Sequence, residues 1–320
     1  MLDASLPDGS RVNASFTEDV STRGPAFTIR KFTKVPWSPI RLMQFGTISP
    51  QMLAYLWILI EYEMNIMIIG GTSSGKTSLL NALTSFIPPQ ARIVSIEDTR
   101  ELSLQHENWL PAVAREGVGL SNLVGQKYGE ISLFTLLKES FRQNPDYVIV
   151  GEVRGAEAYV LFQGMASGHP SFGTMHANSV DTMIKRLETP PISLSSSLVE
   201  TLDVVCVIIQ TKVGGKLVRR ISEIVEIIEV KENHPAVTNT PFIWNPQKDI
   251  FFFKTQSHVF KKLFVQQGIN EDQLLQEFKV RTQLLIKLYQ QKISDFVQVK
   301  EIIKEYYKDP SAVLTKLGIS

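Results

Sequence analysis

At 320 residues the chain has the length of about two domains. Apolar residues make up 43% and charged residues 20%, which supplies a packed core and excludes global disorder. Lys plus Arg is 33 and Asp plus Glu is 32, so the net charge of +1 lacks the overall basic excess of a chain that grips nucleic acid non-specifically. The single cysteine, Cys206, excludes an intrachain disulfide framework and a zinc site built on several thiolates; in its apolar run it reads as a small buried residue.

The N-terminus carries neither a basic n-region nor an apolar h-region, so no targeting signal is read there. Residues 1–36 hold alternating, strand-like stretches such as Ala26–Phe32, punctuated by turns at Pro7-Asp8-Gly9 and Arg23-Gly24-Pro25. So few residues cannot build a core alone; they pack on the next zone or are the trailing part of a longer domain. Pro36-Trp37-Ser38-Pro39 reads as an extended linker.

Residues 37–230 form the second zone. Met52 to Ile69 has about the length of a membrane span, but Glu61, Glu63 and Asn65 interrupt it. Each acid would cost about 2.5–3.5 kcal/mol near a bilayer centre. A helix capped at Ser49-Pro50 and running to about Tyr62, then a strand over Asn65–Ile69, is the better parse. The chain therefore reads as soluble and cytoplasmic, with no integral membrane segment. Further strands are expected at Arg92–Ile96, Tyr147–Val150, Ser171–Met175 and Val204–Ile209, alternating with helical patterns. That alternation predicts an α/β fold with a mostly parallel sheet covered by helices on both faces. Gly214-Gly215 marks a hairpin leading into a β-rich stretch to Val230.

Residues 231–320 change character: turn-rich through Pro246, a short strand at Phe251–Phe253, then mostly helix. Asn270 with Gln273 predicts a capping box ahead of Leu274, Phe278, Leu285 and Leu288. A second helix places Phe296, Val299, Ile303 and Tyr306 on one face and stops before Pro310. This pair is expected to pack as a satellite.

Gly70-Gly71-Thr72-Ser73-Ser74-Gly75-Lys76-Thr77 fits G-x-x-x-x-G-K-[ST] at every fixed position, between an apolar strand and a helix. Such a loop turns consecutive N–H groups toward phosphate oxygens, and the helix opening near Thr77 and Ser78 aims its positive end at the same charge. Lys76 would neutralise the β and γ phosphates, and the Thr77 hydroxyl would hold Mg²⁺. Glu152 follows the apolar strand Tyr147–Val150 on the edge where parallel strands end, and is the expected general base. Glu97 and Asp98 end another strand; they either polarise the attacking water, sit around Mg²⁺, or belong to an ordinary loop. His176 ends a third strand and either reports the γ-phosphate or caps the helix near Ser179.

The order of these four segments resembles the secretion-superfamily ATPases, the motors of type II secretion, type IV pili and archaella, with relatives in type IV secretion. Their Walker A loop is similar to Gly70–Thr77, their Asp box to Ile93–Leu102, their Walker B to Asp146–Glu152 and their His box to Gly168–Asn178. The run Arg23–Phe32 and the helical C-terminus look most like the archaeal branch. The resemblance implies a RecA-like P-loop core with a twisted sheet, preceded by a partial α/β N-terminal domain and followed by a small C-terminal helical region. It also implies ATP and Mg²⁺, six copies in a ring, a membrane platform protein as partner, and a place at the cytoplasmic membrane through that partner. The family's N-terminal domain is usually longer, so the chain is expected to start late within it. A tetracysteine zinc module cannot be built, and the C-terminal pattern of retraction motors is not evident, which favours an assembly role.

Basic residues gain a use in that setting. Lys138 and Arg142, four apart, are expected on one helix face, where like charges invite an anionic partner. With Arg11, Arg23 and Arg30 they are the expected contacts to a neighbouring subunit's nucleotide, as arginine fingers. The alternatives are a RecA-like nucleic-acid translocase, disfavoured by the near-neutral charge and the lack of an aromatic-basic stripe, and a scaffold without turnover.

Overall fold

The computed structural model describes residues 2–319, apart from 19–20, 33–34, 116, 118, 120–126, 233 and 255. The chain opens with β1 (Leu2–Ser5), β2 (Arg11–Ser15) and β3 (Ala26–Arg30), an antiparallel sheet in that order. The first turn is set by Asp8, whose carboxylate accepts from the N–H and the hydroxyl of Ser10. Among the described residues this zone contains strands and turns without a helix.

The main body then runs α1 (Pro39–Gln44), α2 (Pro50–Glu61), β4 (Ile66–Ile69), α3 (Lys76–Leu83), β5 (Ile93–Glu97), β6 (Trp109–Val113), α4 (Leu133–Ser140), β7 (Tyr147–Val150), α5 (Glu157–Ala166), β8 (Ser171–Met175), α6 (Val180–Glu188), α7 (Ser196–Val199) and β9 (Val204–Val213). It continues through β10 (Lys216–Glu229), β11 (Val237–Asn245), β12 (Ile250–Phe253), α8 (His258–Gln267), α9 (Glu271–Gln290), α10 (Phe296–Lys308) and α11 (Pro310–Leu317).

These nine strands make one sheet in the order β12-β11-β10-β9-β4-β8-β7-β5-β6. The six from β9 to β6 are parallel, and β10, β11 and β12 extend the sheet as antiparallel neighbours. The sheet therefore runs on past residue 230 without a break. Central strands β4, β5, β7 and β8 are buried throughout because both faces are covered. Alternation divides them between two cores: Ile66, Ile68 and Cys206 face α2, α3 and the C-terminal helices, while Met67, Ile69 and Val205 face α4, α5 and α6.

The linker expected at Pro36–Pro39 is tied down instead. The Ser38 hydroxyl accepts from the Arg41 N–H at the start of α1 and donates to the Ser294 carbonyl at 2.8 Å, with Pro39 at the first helical position. Four helices, not two, close the chain, and they share the main core rather than packing as a satellite. Met52 to Ile60 of α2 is buried on every side because α9 and α10 cover the face turned away from the sheet. Trp57 stacks on Phe86, and its indole donates to the Tyr307 hydroxyl, which donates in turn to the Phe86 carbonyl. The Arg281 guanidinium lies 4.9 Å from the Trp57 ring centroid and pairs with Glu61 at 2.5 Å. This burial explains the apolar length of α2; among the described residues no helix is long and apolar enough to cross a membrane.

Candidate functional site

Parallel β4, β5, β7 and β8 end on the same edge, so the segments that follow them converge. After β4 the backbone crowds against β9: a Cβ on Gly70 would lie 2.1 Å from the Ile208 carbonyl oxygen. Gly75 has φ +101°, a left-handed turn that lets the chain enter α3 directly. Lys76, buried at the first position of α3, donates from Nζ to the Gly70 and Gly71 carbonyls at 3.1 and 2.9 Å. Burial lowers its pKa, and Glu152 partly restores it.

The loop after β7 is anchored to β8. Thr174 Oγ1 donates to the Gly151 carbonyl at 2.6 Å, and the Val153 N–H donates to the Thr174 carbonyl. This sets Glu152 beside His176, with Glu152 Oε1 3.1 Å from His176 Nε2. Lys76 Nζ lies 3.2 Å from His176 Nδ1. Burial and Lys76 lower the His176 pKa, so the ring is neutral at pH 7 and accepts at Nδ1 from the ammonium. The helix-cap alternative for His176 does not hold, because Ser179 caps α6 by accepting from the Thr182 N–H.

Glu97, at the end of β5, is buried; its Oε1 accepts from the Glu101 and Leu102 N–H groups at 2.9 Å each. Burial pushes its pKa up to about 7, partly offset by those donors. Asp98 is exposed in the same cleft.

The cleft has a volume of about 750 Å³. Thr72, Ser73, Gly75, Lys76, Thr77 and Ser78 line one wall, with Glu97, Asp98, Glu152 and His176 beside them. Gly71 and Ser74 are not in the lining: Gly71 contributes its carbonyl to Lys76, and Ser74 is buried beneath the loop. The N-terminal sheet closes the far side with Gly9, Arg11, Arg30, Phe32 and, beyond it, Trp37. Arg30 pairs with Glu101 at 2.8 Å, and the Arg100 guanidinium lies over Phe32 at 5.6 Å, so this sheet rests on the loop that follows β5. Arg11 also pairs with Asp3.

The other basic residues lie elsewhere. Arg23 and Lys138 are exposed outside the cleft lining. Arg142 is not on the helix of Lys138: α4 ends at Ser140, and Arg142 sits on a short 3₁₀ turn paired with Glu139 at 3.4 Å. The like-charge stacking expected of Lys138 and Arg142 is therefore replaced by a local ion pair.

Three cleft arginines were not named as site residues from sequence, Arg100, Arg154 and Arg219. Arg154 Nη2 lies 2.6 Å from Glu152 Oε2; its signal was its place two residues after that acid. Arg219, on β10, donates from Nε to the Ser73 carbonyl at 3.0 Å; no local pattern marks it, since the contact spans 146 residues.

Glu97 Oε2 and Ser74 Oγ are buried with no hydrogen-bond partner among the described residues. Such atoms call for water or a ligand. The Thr77 hydroxyl and the Glu97 carboxylate line the same cleft, and hard oxygen donors of this kind fit Mg²⁺, which takes few protein ligands and keeps phosphate and water oxygens.

A parallel sheet whose edge gathers a phosphate loop, two acids and a histidine defines a P-loop nucleotide-binding protein. The chain belongs to the type II/IV secretion system protein family, whose model matches residues 1–250. An uncharacterized Methanocaldococcus jannaschii protein is 40% identical over 313 residues, covering 96% of this chain and 56% of its own length. A second from the same organism is 42% identical over 273 residues, covering 84% of this chain and 99% of itself. The chain thus spans about half the length of the first relative and nearly all of the second. Among solved structures, the VirB11 ATPase of the Brucella suis type IV secretion system is similar at 26% identity and a TM-score of 0.44, over 70% of this chain and 75% of that one.

Proposed function

We propose that this protein is an ATP-hydrolysing motor that powers secretion or the assembly of pilus-like or archaellum filaments. It works as a ring of six copies against a membrane platform protein, at the cytoplasmic face of the membrane. The observation that carries the reading is the convergence of the Gly70–Thr77 loop, Glu97, Glu152 and His176 on one cleft faced by the N-terminal sheet.

In this reading the triphosphate lies along the loop, with the base against Phe32 and Trp37. Lys76 exchanges its two loop carbonyls for phosphate oxygens. Glu152 Oε1, 3.1 Å from His176 Nε2, takes the proton of the attacking water as the water oxygen bonds to the γ-phosphorus and the bond to the β–γ bridging oxygen breaks. ADP and phosphate are the products. His176 lies between Lys76 and Glu152 and registers loss of the γ-phosphate through both. Thr77 would hold Mg²⁺, which supplies positive charge to the β and γ oxygens. Differential affinity of the cleft for ATP and ADP moves the N-terminal sheet against the core.

Phosphate release from Mg-ATP tests this. Glu152→Gln should bind ATP but turn over about 10²–10⁴-fold more slowly, and Lys76→Ala should lose binding. Undiminished hydrolysis in both variants would overturn the reading.

A further inference from the structure

The mechanism above leaves Arg154 unused, although it makes the shortest contact to Glu152. Its backbone is fixed: Glu157 Oε1 accepts from the Arg154 and Gly155 N–H groups at 2.6 and 2.8 Å. Its side chain, in contrast, lines the cleft, is 55% exposed and is tied to two carboxylates, Glu152 Oε2 at 2.6 Å and Asp98 Oδ2 at 3.8 Å. An anchored backbone with a half-exposed guanidinium leaves the head free to change partners by side-chain rotation alone.

A carboxylate paired with a guanidinium is a weak base, because the cation stabilises the charged form. Glu152 can take a proton efficiently only once that cation has moved off. A terminal phosphoryl group is the competitor suited to draw it, since its anionic oxygens match the planar fork of the guanidinium in a bidentate way. The diphosphate product lacks that group. Resting on the ATPase reading above, we propose that Arg154 is a triphosphate-responsive lock on Glu152: its pair with Glu152 holds the base inactive, and the terminal phosphate captures the guanidinium and frees the carboxylate. Base activation is thereby restricted to the substrate, and Asp98 offers the guanidinium a second resting partner.

The test uses the full chain with Mg²⁺ and measures calorimetric binding of ATPγS and of ADP. Arg154→Gln is expected to weaken ATPγS binding at least about tenfold and ADP binding by no more than about twofold, the loss of a charged hydrogen bond made only by the terminal phosphate. A second readout is the pH profile of hydrolysis. The acid limb of kcat/KM, which reports the protein before substrate binds, should move to higher pH in Arg154→Gln, because the cation that favours ionised Glu152 is gone. The acid limb of kcat should stay in place, since the lock is already open in the complex. His176 and Lys76 face Glu152 from the other side and Asp98 lies beyond Arg154; all three are unchanged in both proteins. Arg154→Lys keeps the charge without the fork and should show smaller changes in the same directions, which keeps the test available if the Gln variant fails to fold. Equal losses for the two nucleotides, or limbs of kcat/KM and kcat that move together, overturn the lock while leaving the ATPase reading intact. A wild-type chain that binds neither nucleotide overturns both.

Discussion

Glu97 and Glu152 stand at the ends of neighbouring strands, yet their surroundings push them in opposite directions. For Glu152 the penalty of burial is outweighed by Arg154, His176 and Lys76, so its pKa is lowered and it is ionised at neutral pH. For Glu97 burial outweighs the Glu101 and Leu102 N–H donors and the charge of Arg100, and its pKa is pushed up to about 7. A carboxyl whose pKa is raised on folding contributes stability that is fully present below its unfolded pKa of 4.5 and is lost as pH rises through about 7. Glu97→Gln should therefore flatten the pH dependence of unfolding between pH 4.5 and 7. At pH 8 the variant should gain on wild type by up to about 3 kcal/mol, measured by urea melts; an unchanged profile would assign the pH dependence to other groups. At this scale the fixed spacing of Gly70, Gly75, Lys76 and Thr77 made the phosphate loop legible, because its chemistry is contiguous in sequence. The part played by Arg219 was not, since a β-hairpin brings it from far along the chain to the Ser73 carbonyl.

Among the elements, α2 and α9 form a pair whose packing centres on one buried cation, Arg281, with partly exposed carboxylate partners. Arg281 is almost fully buried, pairs with Glu61 and Glu277, and lies between the Trp57 and Tyr306 rings. Truncation empties the space Arg281 fills against the two rings, so Arg281→Ala should cost about 2–5 kcal/mol in denaturant unfolding. Arg281→Met, which keeps volume against the rings, should cost less. Strands β7 and β8 were legible to the residue, and β4 to within one residue, because short apolar runs between turn signals admit few other parses. Strand β6 was not, because Pro111 removes a backbone donor and argues against a strand; its place at the sheet edge makes the missing donor tolerable. Helices α8 and α11 are short, and neither repeats an apolar face long enough to register as a period.

For the molecule as a whole, the ring reading predicts a ligand-dependent mass. Light scattering should show six copies with Mg²⁺ and a non-hydrolysable ATP analogue, and a smaller species without them. A mass that ignores nucleotide would argue against assembly linked to the cleft. Phe27 on β3 and Phe16 beside it are 74% and 82% exposed, so Phe27→Glu should shift the balance toward the smaller species if that face is covered in the ring.

The way the N-terminal sheet rests on the loop after β5 carries one more consequence. Its seat includes the Arg30–Glu101 pair and the Arg100 guanidinium over Phe32, contacts that are charged and partly open to solvent. Counterions at about 1 M shorten the reach of such attractions to roughly 3 Å, whereas the apolar packing around α2 is indifferent to them. Brine should therefore unseat the lid long before it unfolds the body, and the organism's internal salinity becomes a setting on how readily the gap above the phosphate loop opens.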